Sequence, residues 1–221
     1  METLLDPFWT LMQVGFPPGT GLVGACCLGA FLLGAVPFSF LVGKARGVDL
    51  RQVGSGNVGA TNLARSRGLR WAVIAFLLDA GKGTLPVLVL SALAPAPPWP
   101  AVLAGGSAVL GHCFSPYLRF RGGKGVATTA GVLAALNPRV FLALLALWGG
   151  ASILIRNIGI ASSLAALGGA GLGAWLLLRP GARPDEAAFA AFLLVLSVLV
   201  ILRHVKNIGG FLRQAAREPG R

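Results

Sequence analysis

Long apolar runs alternate with short polar connections along this chain, and the runs are too long and too uniformly apolar for surface helices. The first clear run covers residues 22–43, LVGACCLGAFLLGAVPFSFLVG. Others cover about 71–94, 101–115, 125–136, 139–155, 159–178 and 187–202. A helix needs ~20 apolar residues to cross a hydrocarbon core. The pattern therefore predicts an all-α integral membrane protein with seven transmembrane helices. The fourth run is short and stops at Asn137-Pro138. Its flanks are expected to form re-entrant or interfacial loops, where non-helical backbone must be sheltered by protein or a wet cavity. Residues 1–221 are expected to form one membrane-embedded domain, with 1–21 an interfacial segment and 204–221 a tail. Glu2 and Asp6 stand where a cleavable signal would carry positive charge. APAPPWP, residues 94–100, reads as a stiff, uncharged turn.

Composition sharpens the class. Of 221 residues, 55% are hydrophobic and 12% charged, with a mean hydropathy of +0.77. Soluble domains carry about 25% charged residues, so a soluble fold is excluded, as is disorder. Cys26 and Cys27 are helix neighbours that point apart, and Cys113 is distant, so the cysteines read as small packing residues.

The net charge of +12 would suggest nucleic acid in a soluble protein. In a membrane protein it reports topology. With the loop after the first span placed inside, 15 basic residues lie inside: Lys44, Arg46, Arg51, Arg65, Arg67, Arg70, Arg119, Arg121, Lys124, Arg156, Arg203, Lys206, Arg213, Arg217 and Arg221. Three lie outside, Arg139, Arg179 and Arg183, and Lys82 falls within the second span. Basic residues favour the cytoplasmic side, which predicts an outside N-terminus and a cytoplasmic C-terminus. The inner connections also hold most of the Ser, Asn, His and Gly clusters, so an active site is expected on the cytoplasmic face.

Four constellations could carry chemistry. Gly54-Ser55-Gly56-Asn57-Val58-Gly59-Ala60-Thr61-Asn62, with Arg65 following, offers convergent backbone amides, hydroxyl donors and a planar cation to an anion. Asn57 and Asn62 can brace such a loop. Gly111-His112 and Gly122-Gly123-Lys124-Gly125 flank the start of the fourth span, where free amides and the helix dipole favour a phosphate. Arg203-His204-Val205-Lys206-Asn207 ends the seventh span. His204 and Asn207 share a helical face, whereas Arg203 and Lys206 are explained by a basic membrane-interface cap. Asp79 and Lys82, three apart within the second span, are expected to pair with each other, because an unpaired charge there is costly.

Several chemistries lack their residues. No cluster of His, Cys, Asp or Glu has metal-ligand spacing. No pair of carboxylates is available for acid/base work, and there is no Walker loop or GxSxG elbow. His112 is followed five residues later by Tyr117, so the acyltransferase HxxxxD motif is absent. What remains is an anion clamp without an evident strong base. On residues alone, a transporter or channel for a phosphate-bearing metabolite would also suit it, although no internal repeat is visible.

Ser39…Gly43-Lys44…Asp49-Leu50-Arg51…Gly54-Ser55-Gly56-Asn57-Val58-Gly59-Ala60-Thr61-Asn62, then Asp79…Lys82-Gly83, Gly111-His112…Gly122-Gly123-Lys124-Gly125 and His204…Asn207 occur in that order. Together they closely resemble the bacterial acyl-phosphate-dependent glycerol-3-phosphate acyltransferases, the PlsY family, over residues 22–218. The resemblance implies a multi-pass enzyme of the bacterial inner membrane with a cytoplasmic site. It implies transfer of a fatty acyl group from acyl phosphate to the 1-hydroxyl of glycerol 3-phosphate, giving lysophosphatidic acid and phosphate, the first step of phospholipid synthesis. By resemblance Ser55, Arg65, His112 and Lys124 act directly on the phosphates, and Gly54, Gly56, Asn57, Ala60, Thr61, Gly122, Gly123, Gly159, His204 and Asn207 complete the pocket. It implies no cofactor and no metal. The implied partners are glycerol 3-phosphate, acyl phosphate, membrane lipids and the soluble enzyme that makes acyl phosphate, with no nucleic acid. One departure stands out: Gly159 and Ala161 occupy positions where the family carries hydroxyls. Backbone amides are expected to substitute there, or the reaction is weaker. The proton acceptor is expected to be a substrate phosphate, whose second pKa is about 6; His112 is the alternative base.

Overall fold

The structure, a computed structural model, describes residues 20–94 and 99–217. Most of the segment 1–21 and of the Pro-rich turn at 94–100 lies outside those residues. The described residues are helical and contain no strand. In chain order the helices are α1 (Thr20–Ala35), α2 (Phe38–Ala45), α3 (Ala60–Arg67), α4 (Leu69–Leu93), α5 (Trp99–Cys113), α6 (Val126–Leu136), α7 (Pro138–Ile155), α8 (Ile158–Leu178) and α9 (Pro184–Arg217).

Six stretches are long and apolar enough to cross a membrane: Gly21–Ala45, Leu69–Leu93, Trp99–Leu118, Pro138–Ile155, Ile158–Leu178 and Pro184–Gln214. They coincide with six of the seven expected runs. The remaining run is α6, only 11 residues and about 16 Å long at 1.5 Å per residue. Three expectations are corrected. The run at 22–43 is two helices, because Pro37 has no N–H and its ring clashes with the carbonyl four residues back. The polar connection after it contains α3, a helix without an apolar stripe that is held by tertiary contacts. The last helix does not end near residue 202, and residues 204–217 continue α9 rather than forming a separate tail.

The break between α1 and α2 is stapled from both sides. Lys82 Nζ donates to Val36 O at 2.6 Å, and Ser115 Oγ donates to Ala35 O at 2.6 Å. Side chains thus re-satisfy the freed carbonyls, as a broken helix at membrane depth requires. The main core packs α1, α4, α5, α6 and α9 around Val87, Leu90, Val109, Val132 and Leu196. A smaller cluster of Leu50, Leu63 and Ala75, with Phe40 and Trp71 against it, seats α3 on α4. Peripheral faces stay apolar: Ile153 and Leu154 on α7 are 77% and 84% exposed, as lipid-facing residues would be.

Candidate active site

The polar clusters gather at one end of the bundle, where two glycine-rich loops run into α3 and α6. In the first loop Gly54 and Gly56 adopt φ of +56° and +68°. These left-handed turns suit glycine. Asn62, 1% exposed on α3, holds the loop closed. Its Oδ1 accepts from Ser55 N at 3.2 Å, and its Nδ2 reaches Leu50 O, Val53 O and Asn57 O at 3.0, 3.0 and 2.9 Å. The brace leaves Gly54, Ser55, Gly56, Thr61 and Arg65 exposed, with Asn57 and Ala60 half-buried. Nearby, Asp49 pairs with Lys44 at 3.2 Å and with Arg51 at 2.6 Å. The Arg51 guanidinium holds the Asp49 carboxyl well below the usual carboxylate range.

The second loop, Gly122–Gly125, is held by residues distant in sequence. Arg203 of α9 donates through Nη2 to Gly122 O at 2.9 Å and Gly123 O at 2.8 Å, and through Nε to Gly123 O at 3.2 Å. The interface-cap reading of Arg203 is therefore corrected: its guanidinium clamps the loop. Lys206 is exposed, as a cap would be. Gly123 N donates to His112 O at 3.1 Å, and a Cβ at Gly123 would stand 2.3 Å from His112 Nε2. Only glycine permits that approach.

Lys124 emerges from this loop and donates to Asn207 Oδ1 at 2.5 Å. Burial, then the charges of Arg65 and Arg203, push the Lys124 ammonium down to about 8. Arg65 thus links the first loop to the second by its field, since no hydrogen bond or ion pair joins Gly54–Thr61 to the Lys124 cluster among the described residues. Neither Arg65, Lys124 nor Arg203 pairs with a carboxylate among those residues. Arg65 and Arg203 both bear on Lys124 without a carboxylate counter-charge, beside exposed hydroxyls, an arrangement whose chemistry can hold an anion.

The remaining site residues complete this wall. His204 Nδ1 donates to Val200 O at 2.8 Å; a carbonyl can only accept, so Nδ1 carries the proton and Nε2 is left as an acceptor. Gly159 starts α8, and a Cβ there would fall 2.1 Å from Asn207 Nδ2. The missing side chain makes room for Asn207 beside Lys124. The Gly159 amide is already taken by the Asn157 cap, whose Oδ1 accepts from Gly159 N at 3.1 Å and Ile160 N at 3.3 Å. Ser162 and Ser163, the nearest following hydroxyls, donate back to Ile158 O and Gly159 O.

His112 lies deeper, 8% exposed. Its Nδ1 is 3.1 Å from Thr128 Oγ1 and 3.8 Å from Asp79 Oδ1. Asp79 and Lys82 pair at 2.7 Å as expected, and Ser39 Oγ donates to Asp79 Oδ2 at 2.6 Å. Arg203 and Thr128 are the contributors that sequence reasoning left out. Thr128 stands only three residues beyond Gly125, in the first turn of α6, and could have been found; Arg203 carried no signal beyond its charge. Among the described residues, no three His, Cys, Asp or Glu side chains come together as metal ligands would.

The family model for glycerol-3-phosphate acyltransferase matches residues 24–214. A glycerol-3-phosphate acyltransferase of Aquifex aeolicus is 39% identical over 183 residues, 83% of this chain and 92% of that protein. One of Methylorubrum extorquens is 41% identical over 213 residues, 96% of each. Among solved structures, PlsY, an integral membrane glycerol 3-phosphate acyltransferase in its glycerol 3-phosphate form, matches with a TM-score of 0.79 at 35% identity. That match covers 88% of this chain and 94% of that one. The lysophosphatidic acid form of PlsY matches with a TM-score of 0.77 at 34% identity, covering 88% and 93%.

Proposed function

This chain belongs to the glycerol-3-phosphate acyltransferase family, and from that premise we propose that its acyl donor is an acyl phosphate and its acceptor the 1-hydroxyl of glycerol 3-phosphate. It is an integral membrane acyltransferase; the donor and the disposition of its site residues are the finer reading. The observation that carries that reading is the convergence of Arg65, Lys124 and Arg203, uncompensated by carboxylates, on two glycine-rich loops. Such a site suits two small phosphates. The solved relatives' glycerol 3-phosphate and lysophosphatidic acid forms support that acceptor and product.

In this reading the glycerol hydroxyl oxygen attacks the acyl carbonyl carbon. The bond from that carbon to the phosphate oxygen breaks, inorganic phosphate leaves, and the hydroxyl proton passes to a phosphate oxygen. An acyl phosphate is already activated, so no acyl-enzyme need form. A phosphate with a second pKa of about 6 is a competent base near neutrality. Lys124 and Arg65 hold the two anions together, and orientation of this kind is worth up to ~7–11 kcal/mol in favourable cases. Ser55, Thr61 and the loop amides donate to phosphate oxygens. His204 and Asn207 shape the wall opposite, and Asn207 fixes the Lys124 ammonium. The acyl chain enters a cavity of about 120 Å³ between α4, α6, α7, α8 and α9, lined by residues such as Phe76, Leu133, Phe141, Trp148, Leu193 and Val200. Val200 stands one turn before His204, so the cavity adjoins the phosphate wall.

The positive-inside count supports a cytoplasmic face for the site, and the family resemblance supports a bacterial inner membrane, where a soluble enzyme can deliver acyl phosphate. Purified protein with labelled glycerol 3-phosphate tests the proposal. Palmitoyl phosphate is expected to give labelled lysophosphatidic acid, and palmitoyl-CoA is not. Turnover with palmitoyl-CoA alone would reject it.

A further inference from the structure

Behind the phosphate wall lies a group of buried polar side chains that the reaction scheme leaves idle. Asp79 is 1% exposed and Lys82 3%. The carboxylate accepts from Ser39 on Oδ2 and pairs with Lys82 through Oδ1. Oδ1 has the Lys82 ammonium at 2.7 Å as its one close partner, which leaves it a second lone pair, and His112 Nδ1 stands 3.8 Å away. Lys82 in turn holds the carbonyl at the α1–α2 break. The carboxylate is therefore fixed from two helices and is not free to follow the imidazole. The imidazole is bounded on its other edge by Gly123, whose amide is bonded to the carbonyl of the same histidine.

The two histidines differ in what fixes their protons. His204 faces a carbonyl, which leaves one choice. His112 faces the Thr128 hydroxyl, which can donate or accept. Something else must decide, and a carboxylate with an unused lone pair beside Nδ1 favours a proton there. The hydroxyl and the carboxylate then both face an N–H, and Nε2 meets the glycine loop without a hydrogen. The other tautomer would put an N–H on the ring nitrogen that lies closest to where a Gly123 Cβ would stand, in a space where no acceptor faces it among the described residues.

We propose that Asp79, anchored by Ser39 and Lys82, is a positioning residue that sets the tautomer and seat of His112, and through that ring the seat of the Gly122–Lys124 loop. The chain of contacts runs from the α1–α2 break to Asp79, from Asp79 to His112, and from His112 to the loop that carries Lys124. Substrate does not touch Asp79; its effect reaches the reaction through His112. This rests on the acyltransferase reading only for its kinetic consequence, because the tautomer exists without substrate.

The test is ring nitrogen NMR of the full chain, labelled with ¹⁵N-histidine, in detergent above pH 7.5. There are two histidines, and His112→Gln assigns the spectrum by removing one. Wild type is expected to show a protonated Nδ1 and a bare Nε2 at both. Asp79→Leu with Lys82→Met replaces the ion pair by apolar groups of similar size, a change buried pairs often tolerate. His112 is then expected to move to the Nε2-protonated form while His204 stays. Turnover with glycerol 3-phosphate and palmitoyl phosphate should fall about 10- to 100-fold in kcat/KM, the size expected for a charge-assisted contact. The same pair of changes in a His112→Gln background should cost less than about threefold, because the effect passes through that ring. If the pair-replaced protein does not fold, Ser39→Ala reads the same coupling by loosening the carboxylate. An unmoved His112 tautomer, or equal losses with and without the histidine, would overturn the proposal. Absent turnover in wild type would reject the acyltransferase reading and leave the nitrogen shifts to decide this one.

Discussion

The two glycine-rich loops of the site do similar work with different supports. Gly54–Thr61 is braced from within its own motif by Asn62, whose side chain makes four hydrogen-bond contacts to the loop that precedes it. Gly122–Gly125 is braced from outside, by Arg203 about 80 residues later and by His112 beneath it. The first loop stays open, with its serine and arginine exposed. The second is half-buried, and burial pushes its lysine down to about 8. A locally braced loop can form and accept a ligand with little help from the rest of the fold. A loop braced from a distance is correct only when the bundle is correct, which suits the element that must meet the reacting centre.

The sharpest way to break this comparison is Lys124→Ala. Loss of a partly buried, charge-assisted contact to phosphate costs about tenfold to more than a hundredfold, and kcat/KM should fall toward the upper end or beyond. Lys206→Ala, on an exposed part of α9, should cost less than about fivefold. Equal losses in steady-state assays of the two variants would remove Lys124 from its assigned place.

Arg203→Ala should follow, at about 10- to 100-fold in kcat, because its donors on Gly122 O and Gly123 O disappear together. Arg203→Lys should recover little, since a point ammonium cannot span two carbonyls as the guanidinium fork does. A full rescue by lysine would show that charge alone matters there.

Asn62→Ala should act mainly on KM for glycerol 3-phosphate, by roughly three- to tenfold, as the first loop loses its brace but remains accessible. A loss confined to kcat would place that loop at the chemistry instead.

The last effect is in pH. Below about pH 8 the free enzyme already carries a charged Lys124, so phosphate binds without proton uptake. Above it the amine is neutral and binding must recharge it, so KM for glycerol 3-phosphate should rise, by up to about tenfold per pH unit toward 10.5. Lys124→Arg, which cannot deprotonate in that range, should flatten the rise. An alkaline rise that survives in Lys124→Arg would assign it to another group.

The difference between the loops also explains what the sequence made legible. Six of the seven apolar runs predicted as spans are membrane-length stretches, legible because a crossing demands a long apolar run. Asp79 and Lys82 were legible as a pair because their spacing of three leaves few alternatives in an apolar helix. Asn62 was legible as a brace because it sits seven residues from Ser55, whose amide it holds, within one motif. Arg203 was not, since a basic residue at the end of a membrane helix is what the interface normally collects. Helix α3 was missed because its eight residues, ATNLARSR, hold a single large apolar side chain and give no apolar period; Leu63 against Leu50 and Ala75, with the Asn62 brace, holds it. The reason for Gly159 was invisible for the same cause: its partner, the Asn207 side chain, arrives from a helix nearly 50 residues away.

The central claim is that a cationic clamp orients two phosphates and that a phosphate, rather than a side chain, receives the proton. The pH–rate profile of His112→Gln, measured at saturating glycerol 3-phosphate and palmitoyl phosphate, tests it most directly. Glutamine keeps an amide donor of similar reach and does not titrate near neutrality. The account predicts measurable residual turnover and an acid limb in kcat close to that of wild type, set by the phosphate near pH 6. Disappearance of that limb, with a loss of about 10²–10⁴-fold, would make His112 the general base and contradict the account.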